Sequence, residues 1–251
     1  MTIYCYDGSF AGFITVLACC GESGECPADI TRNVPAQRGL FCEVSMVETD
    51  WWGYGRFLEK IARVISRHAL RNAYHAFLSE DAGIEMAIHR YLSLGLLEGR
   101  RLDALLADKR VRPVHKAARK VRNEAHRMKG FVRFREVRHG FFYAALQPDC
   151  RIFTLIAPHF CTRFSDQNWV IHDMGRKEAV FHDASRQQWA VAGTDLALEP
   201  EYTDREMFYC ELWRRYFSEA AIAERHNPAL QKHMLPLKYR KYLVEMENGG
   251  P

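Results

Sequence analysis

The sequence predicts an α+β fold in which helices pack around a small, mainly antiparallel sheet made of a hairpin and a meander. Three observations lead there. Val114, Ala118, Val121, Ala125 and Met128 recur at steps of three and four, which puts them on one face of a helix. Residues 131–137 and 141–146 read as strands joined by Arg138-His139-Gly140, a hairpin. Residues 169–173, 178–183 and 188–192 are three short runs with tight connections, a meander.

The remaining elements follow in chain order. Ile3, Tyr4, Cys5 and Tyr6 form a short strand, and Asp7-Gly8-Ser9 a turn that ends in a helix N-cap. Phe10, Phe13, Ile14 and Leu17 then make an amphipathic helix. Residues 21–39, rich in Gly, Pro and acids, read as loop, and 40–47 as a second strand. From 53 to 107 the pattern is helical: Phe57, Ile61, Val64 and His68 share one face, and Ile84, Ile88, Tyr91 and Leu92 another. Pro113 closes a break at 110–113. The whole of 1–251 is expected to be a single domain. A subdivision near 110 would separate a largely helical part from an α+β part. Gly130 is placed to end the basic helix in a left-handed conformation. Pro148 and Asp149 open a further helix, which Pro158 should kink or split. Residues 193–200 connect to a long helix over 205–223, and short helices follow Asn227-Pro228 and Pro236.

A chain of 251 residues, 48% hydrophobic and 26% charged, has an ordinary globular balance. It holds no apolar run near the roughly 20 residues that span a bilayer. No basic region precedes the first apolar stretch, so no signal peptide and no membrane association are expected. None of the eight cysteines forms a C-x-x-C pair, so neither a zinc nor an iron–sulfur site is indicated; reduced thiols in the cytoplasm are the economical expectation.

Net charge is only +4, but its distribution is uneven. Between residues 100 and 138, fourteen Lys and Arg face only Asp103, Asp108, Glu124 and Glu136. A basic centre this dense suits a polyanion, although a solvated helix face would explain the same charges. Lys116, Lys120, Asn123 and Arg127 lie opposite the apolar stripe, and Lys129, Arg133 and Arg135 continue the run. Arginine grips phosphate with paired hydrogen bonds and lysine offers a point charge, contacts that position without reading sequence. Arg163, Arg176 and Arg214 are further candidates. His172-Asp173 and His182-Asp183 end two adjacent strands. If those strands pair, two histidines and two carboxylates would meet at one sheet end, where His172 and Asp173 could do acid–base work. Ordinary polar turn residues explain them as well. No nucleophile elbow, Walker loop, zinc-protease helix or dinucleotide loop is present, and no cofactor is implied. Trp213-Arg214-Arg215-Tyr216 mixes stacking and phosphate-binding types, but helical spacing favours packing its aromatics inward.

Several longer strings are familiar. They are Tyr6-Asp7-Gly8-Ser9-Phe10-x-Gly12-Phe13, Glu124-Ala125-His126-Arg127-Met128-Lys129-Gly130-Phe131-Val132-Arg133-Phe134, Ala157-Pro158-His159-Phe160, Arg163-Phe164-x-Asp166-Gln167-x-Trp169-x-Ile171-His172-Asp173 and Trp213-Arg214-x-Tyr216-Phe217. They resemble a bacterial family described as DNA metabolism or DNA repair proteins and defined by a domain of unknown function. Its members are encoded beside a radical S-adenosylmethionine protein, and some are fused to a uracil-DNA glycosylase-like domain. One departure is Arg240, where the family pattern has tryptophan. No glycosylase domain is expected within these residues. The resemblance implies a DNA-repair context and supplies no activity; taken with the basic centre, the expectation is a DNA-binding accessory protein acting with the radical S-adenosylmethionine partner. An enzyme acting on DNA or a modified nucleotide through His172 and Asp173, or a protein adaptor with a basic face, are the alternatives.

Overall fold

The computed structural model describes residues 2–32, 43–194, 200–225 and 227–246. The chain is α+β and divides into two compact units, Met1–Asn123 and Glu124–Pro251. The division falls inside a helix, well past 110.

In the first unit, β1 (Thr2–Cys5) lies between β2 (Asp29–Thr31) and β3 (Glu43–Met46), and both pairings are parallel. β2 sits within the stretch read as loop. It is only three residues long, too short for its alternation to register. Of the strand expected over 40–47, residues 40–42 lie outside the described residues, as do 195–199 of the connector. The turn after β1 forms as its residues dictate. Gly8 adopts φ 79°, the Asp7 carboxylate accepts the Ser9 N–H at 2.9 Å, and the Ser9 hydroxyl accepts the Gly12 N–H at 2.9 Å. That cap starts α1 (Phe10–Ser23), which ends on left-handed Gly24. α2 (Trp51–Val64) and α3 (Arg67–Phe77) are capped in the same way by Asp50 and Ser66. α4 (Ile84–Glu98) follows Gly83 at φ 73°. The core centres on Phe13 stacked against Phe77 at 5.5 Å, with Ile14, Ile61, Ile65, Ile88 and Tyr91 fully buried.

α5 (Arg112–Phe131) crosses from one unit into the other. Its stripe Val114, Ala118, Val121, Ala125 and Met128 is buried, as its period requires. Gly130 does not end it; the helix runs one residue further, and the strand expected from Phe131 begins only at Arg135.

The second unit holds a five-stranded sheet in the order β4 (Arg135–Val137), β5 (Phe141–Leu146), β6 (Asn168–Asp173), β7 (Glu178–Asp183), β8 (Gln188–Gly193). The hairpin β4–β5 and the meander β6–β7–β8 are antiparallel, but β5 and β6 run parallel, so the sheet is mixed. A parallel neighbour needs a crossover, and α6 (Phe153–Arg163) supplies it. Pro158 neither splits nor ends α6. α7 (Asp204–Glu219), α8 (Pro228–Met234) and α9 (Leu237–Arg240) complete the unit. Trp169, Ile171, Ile152, Ile156 and Met128 are buried at its centre. The seven described cysteines are all free thiols. No helix among the described residues is long and apolar enough to cross a membrane.

Candidate nucleic-acid interface

A cleft of about 710 Å³ opens in the second unit, within the usual range of ligand sites. Its floor is aromatic, and the sequence places each ring. Phe160 and Phe164 are four apart at the end of α6, so they share a face and stack at 6.4 Å and 12°. Phe134, arriving from α5, meets both edge-on at 5.3 Å and Trp169 at 5.7 Å. Phe142 lies beside Trp169 because β5 and β6 pair in that register. Lys129 and Arg163, both exposed, stand on the rim with Asp166, and the half-buried His159 lines the cleft with them. Partial burial lowers the pKa of His159, and the charges of Lys129 and Arg163 push it the same way. The two cations thus add to burial in disfavouring the protonated ring.

The other predicted phosphate ligands are placed differently. Arg127 is exposed on the final turns of α5. Lys116 and Lys120 belong to the first unit, where Lys120 pairs with Asp81 at 2.6 Å. Arg133 lines the cleft, but its guanidinium is held by Glu245 at 2.6 Å and by the Gly130 carbonyl at 2.7 Å. Burial alone would raise the pKa of Glu245. The hydrogen bonds from Arg133, the backbone and Trp213 outweigh it and hold the carboxyl below its usual range. Arg135 lies over the Tyr202 ring at 3.7 Å. Arg176 donates to Asp173 and to the carbonyls of Pro148 and Asp149. Arg214 donates to the Val244 carbonyl at 3.1 Å. These four side chains hold the unit together from within.

His172 and Asp173 are almost fully buried. The two ring nitrogens of His172 lie 3.0 Å from the Tyr143 hydroxyl and 3.1 Å from that of Thr194. Burial lowers its pKa, partly opposed by Asp173. The Asp173 carboxylate accepts the Gly175 and Arg176 N–H groups and the Arg176 guanidinium, which fixes the β6–β7 turn. The expected meeting of two histidines and two carboxylates at one sheet end does not occur. The antiparallel register sets Trp169 opposite His182 and Asp173 opposite Glu178, so the two His-Asp pairs lie at opposite ends. His182 instead stacks on Trp169 at 5.1 Å and 15° and donates to the Gln167 carbonyl at 2.9 Å. The Trp169 indole N–H is buried without an acceptor among the described residues. No group of three or more His, Cys, Asp or Glu among them is placed to hold a metal.

Sequence reading named the rim cations but missed the floor, whose signal was the interleaving of Phe160 and Phe164 with His159 and Arg163. It also expected the aromatics of α7 to pack inward. Trp213 and Tyr216 are exposed instead, with rings 5.7 Å apart.

The second unit is thus an α+β body carrying an aromatic cleft under a basic rim. Residues 82–245 match the family model described as a domain of unknown function, DUF4130, and the chain belongs to that family. The matched span includes every candidate residue named above, while the turn Asp7-Gly8-Ser9 lies before it. No curated protein and no solved structure matches the chain.

Proposed function

We propose that this protein binds nucleic acid through the cleft of its second unit. The polymer is DNA, and the protein serves as an accessory in DNA repair or metabolism beside a radical S-adenosylmethionine protein. The observation that carries the binding reading is the placement of Lys129 and Arg163 on the rim of an aromatic recess. Phosphates meet the two cations, and Arg127 extends the basic edge. The inward-held Arg133, Arg135, Arg176 and Arg214 shape the recess and the turns beside it. The DNA context and the radical partner come from the sequence resemblance alone.

Titration of a labelled DNA at two salt concentrations tests the reading. Affinity falls steeply with salt, and Lys129→Gln and Arg163→Gln each reduce the logarithmic slope by about one while weakening binding to all sequences alike. Absence of binding at low salt, or an unaltered slope in both variants, disproves it. Co-purification with the radical protein, with and without nuclease treatment, tests the partner.

A further inference from the structure

We infer that the cleft takes an unpaired base, so that the second unit binds a single strand in preference to an intact duplex. This rests on the nucleic-acid reading above and specifies its ligand. A row of cations on a flat face would hold a duplex backbone equally well. Here the cations edge a recess, and Phe134, Phe142 and Phe164 line it while only half-buried, with the Arg163 guanidinium 5.7 Å over the Phe164 ring, where a base can stack in its place or beside it. A base within a duplex has both faces covered by its neighbours and cannot reach that floor. An unpaired base can, and stacking on an aromatic ring suits every base because each has a π face.

A second recess, of about 820 Å³, shares Arg133 and Phe134 with the first. Trp213 and Tyr216 line it, 40% and 63% exposed. The Trp213 indole is not free to fold away, since its N–H is tied to Glu245 at 3.0 Å. Aromatic surface on both sides of Phe134 suits a strand whose bases are splayed apart, one to each side. The acidic group in the first recess fits the same orientation. Asp166 there repels phosphate but accepts hydrogen bonds from base amino groups, which favours a base inward and backbone along the rim, whereas the Glu206 carboxylate in the second is taken up by the Glu136 N–H and the Cys210 thiol.

The test uses the full chain with a single-stranded DNA carrying 2-aminopurine near its middle, and the same strand annealed to its complement. The single strand binds at least about fivefold tighter, the smallest effect expected of one stacked base, and its fluorescence changes on binding. Phe164→Leu and Tyr216→Leu, each checked by circular dichroism, move the single-strand preference toward one. Arg163→Gln weakens both forms and keeps the ratio. Equal affinity for the two forms, a silent fluorophore, or an unmoved ratio in both leucine variants overturns the inference while leaving nucleic-acid binding intact. If neither form binds at low salt, the functional reading fails and takes this inference with it.

Discussion

Glu245 is the carboxylate on which the cleft wall depends. It is buried, and it receives the Arg133 guanidinium and the Trp213 indole from two different segments. Replacing it by glutamine removes the charge that Arg133 faces and leaves fewer acceptor sites. We expect Glu245→Gln to lower stability by about 1–3 kcal/mol, read as a shift in the urea midpoint. An unshifted midpoint would mean that Arg133 finds an equal partner elsewhere. This pair also shows where residue-level reading of sequence stops. Reading 131–137 as a strand puts Arg133 and Arg135, two apart, on one side and invites a shared outward role. Their partners, Glu245 and Tyr202, lie far along the chain, and local periodicity holds no record of them. Lys129 and Arg163 were legible as candidates by residue type, but only their common rim singles them out.

Among the elements, the Ser9 N-cap was readable because it is a local contract between a side chain and an N–H three residues on, whereas Gly130, read as the end of α5, lies inside it. Ser9 and the turn before it formed as their residue types require. The parallel sheet of the first unit was not legible, since β2 is three residues long and its pairing is set by β1. The meander was legible, but its register was not, and register decided where the two His-Asp pairs stand. The β6–β7 turn also holds Lys177 at φ 54°, a left-handed conformation that costs an L-residue roughly 1–2 kcal/mol. Glycine removes that cost and gives back part of it through a freer unfolded chain. Lys177→Gly should therefore stabilise the protein by about 0.5–1 kcal/mol, measured by denaturant titration. Its carbonyl bond to the Thr194 N–H does not depend on the side chain. A loss of stability would show that the lysine side chain contributes more than the backbone relief.

For the molecule as a whole, histidines with lowered pKa contribute to acid sensitivity. Burial, with the charges of Arg122 and Arg71 adding to it, pushes the pKa of His75 down to about 4. His89 and His115 in the same unit, and His159 and His172 in the other, are lowered as well, chiefly by burial. In the unfolded chain a histidine takes its proton near pH 6.5. Below that value the unfolded state binds protons that the native state refuses, so stability is full above about pH 6.5 and falls as pH drops toward 4. A His75→Gln variant should show a shallower loss over that window in denaturant titrations run at several pH values. Parallel curves for the two proteins would assign the acid sensitivity to other groups.

The parallel junction between β5 and β6 has a consequence for the order of assembly. The β6–β7–β8 ribbon closes through short turns and needs nothing from elsewhere in the chain. The β4–β5 ribbon can also close locally, but joining the first ribbon requires closing the loop of residues 147–167 that carries α6. Closing that longer loop costs chain entropy before any ladder bond is gained. The aromatic floor spans this seam, with Phe142 on one side and Trp169 on the other, so the recess comes into being only when the two ribbons meet.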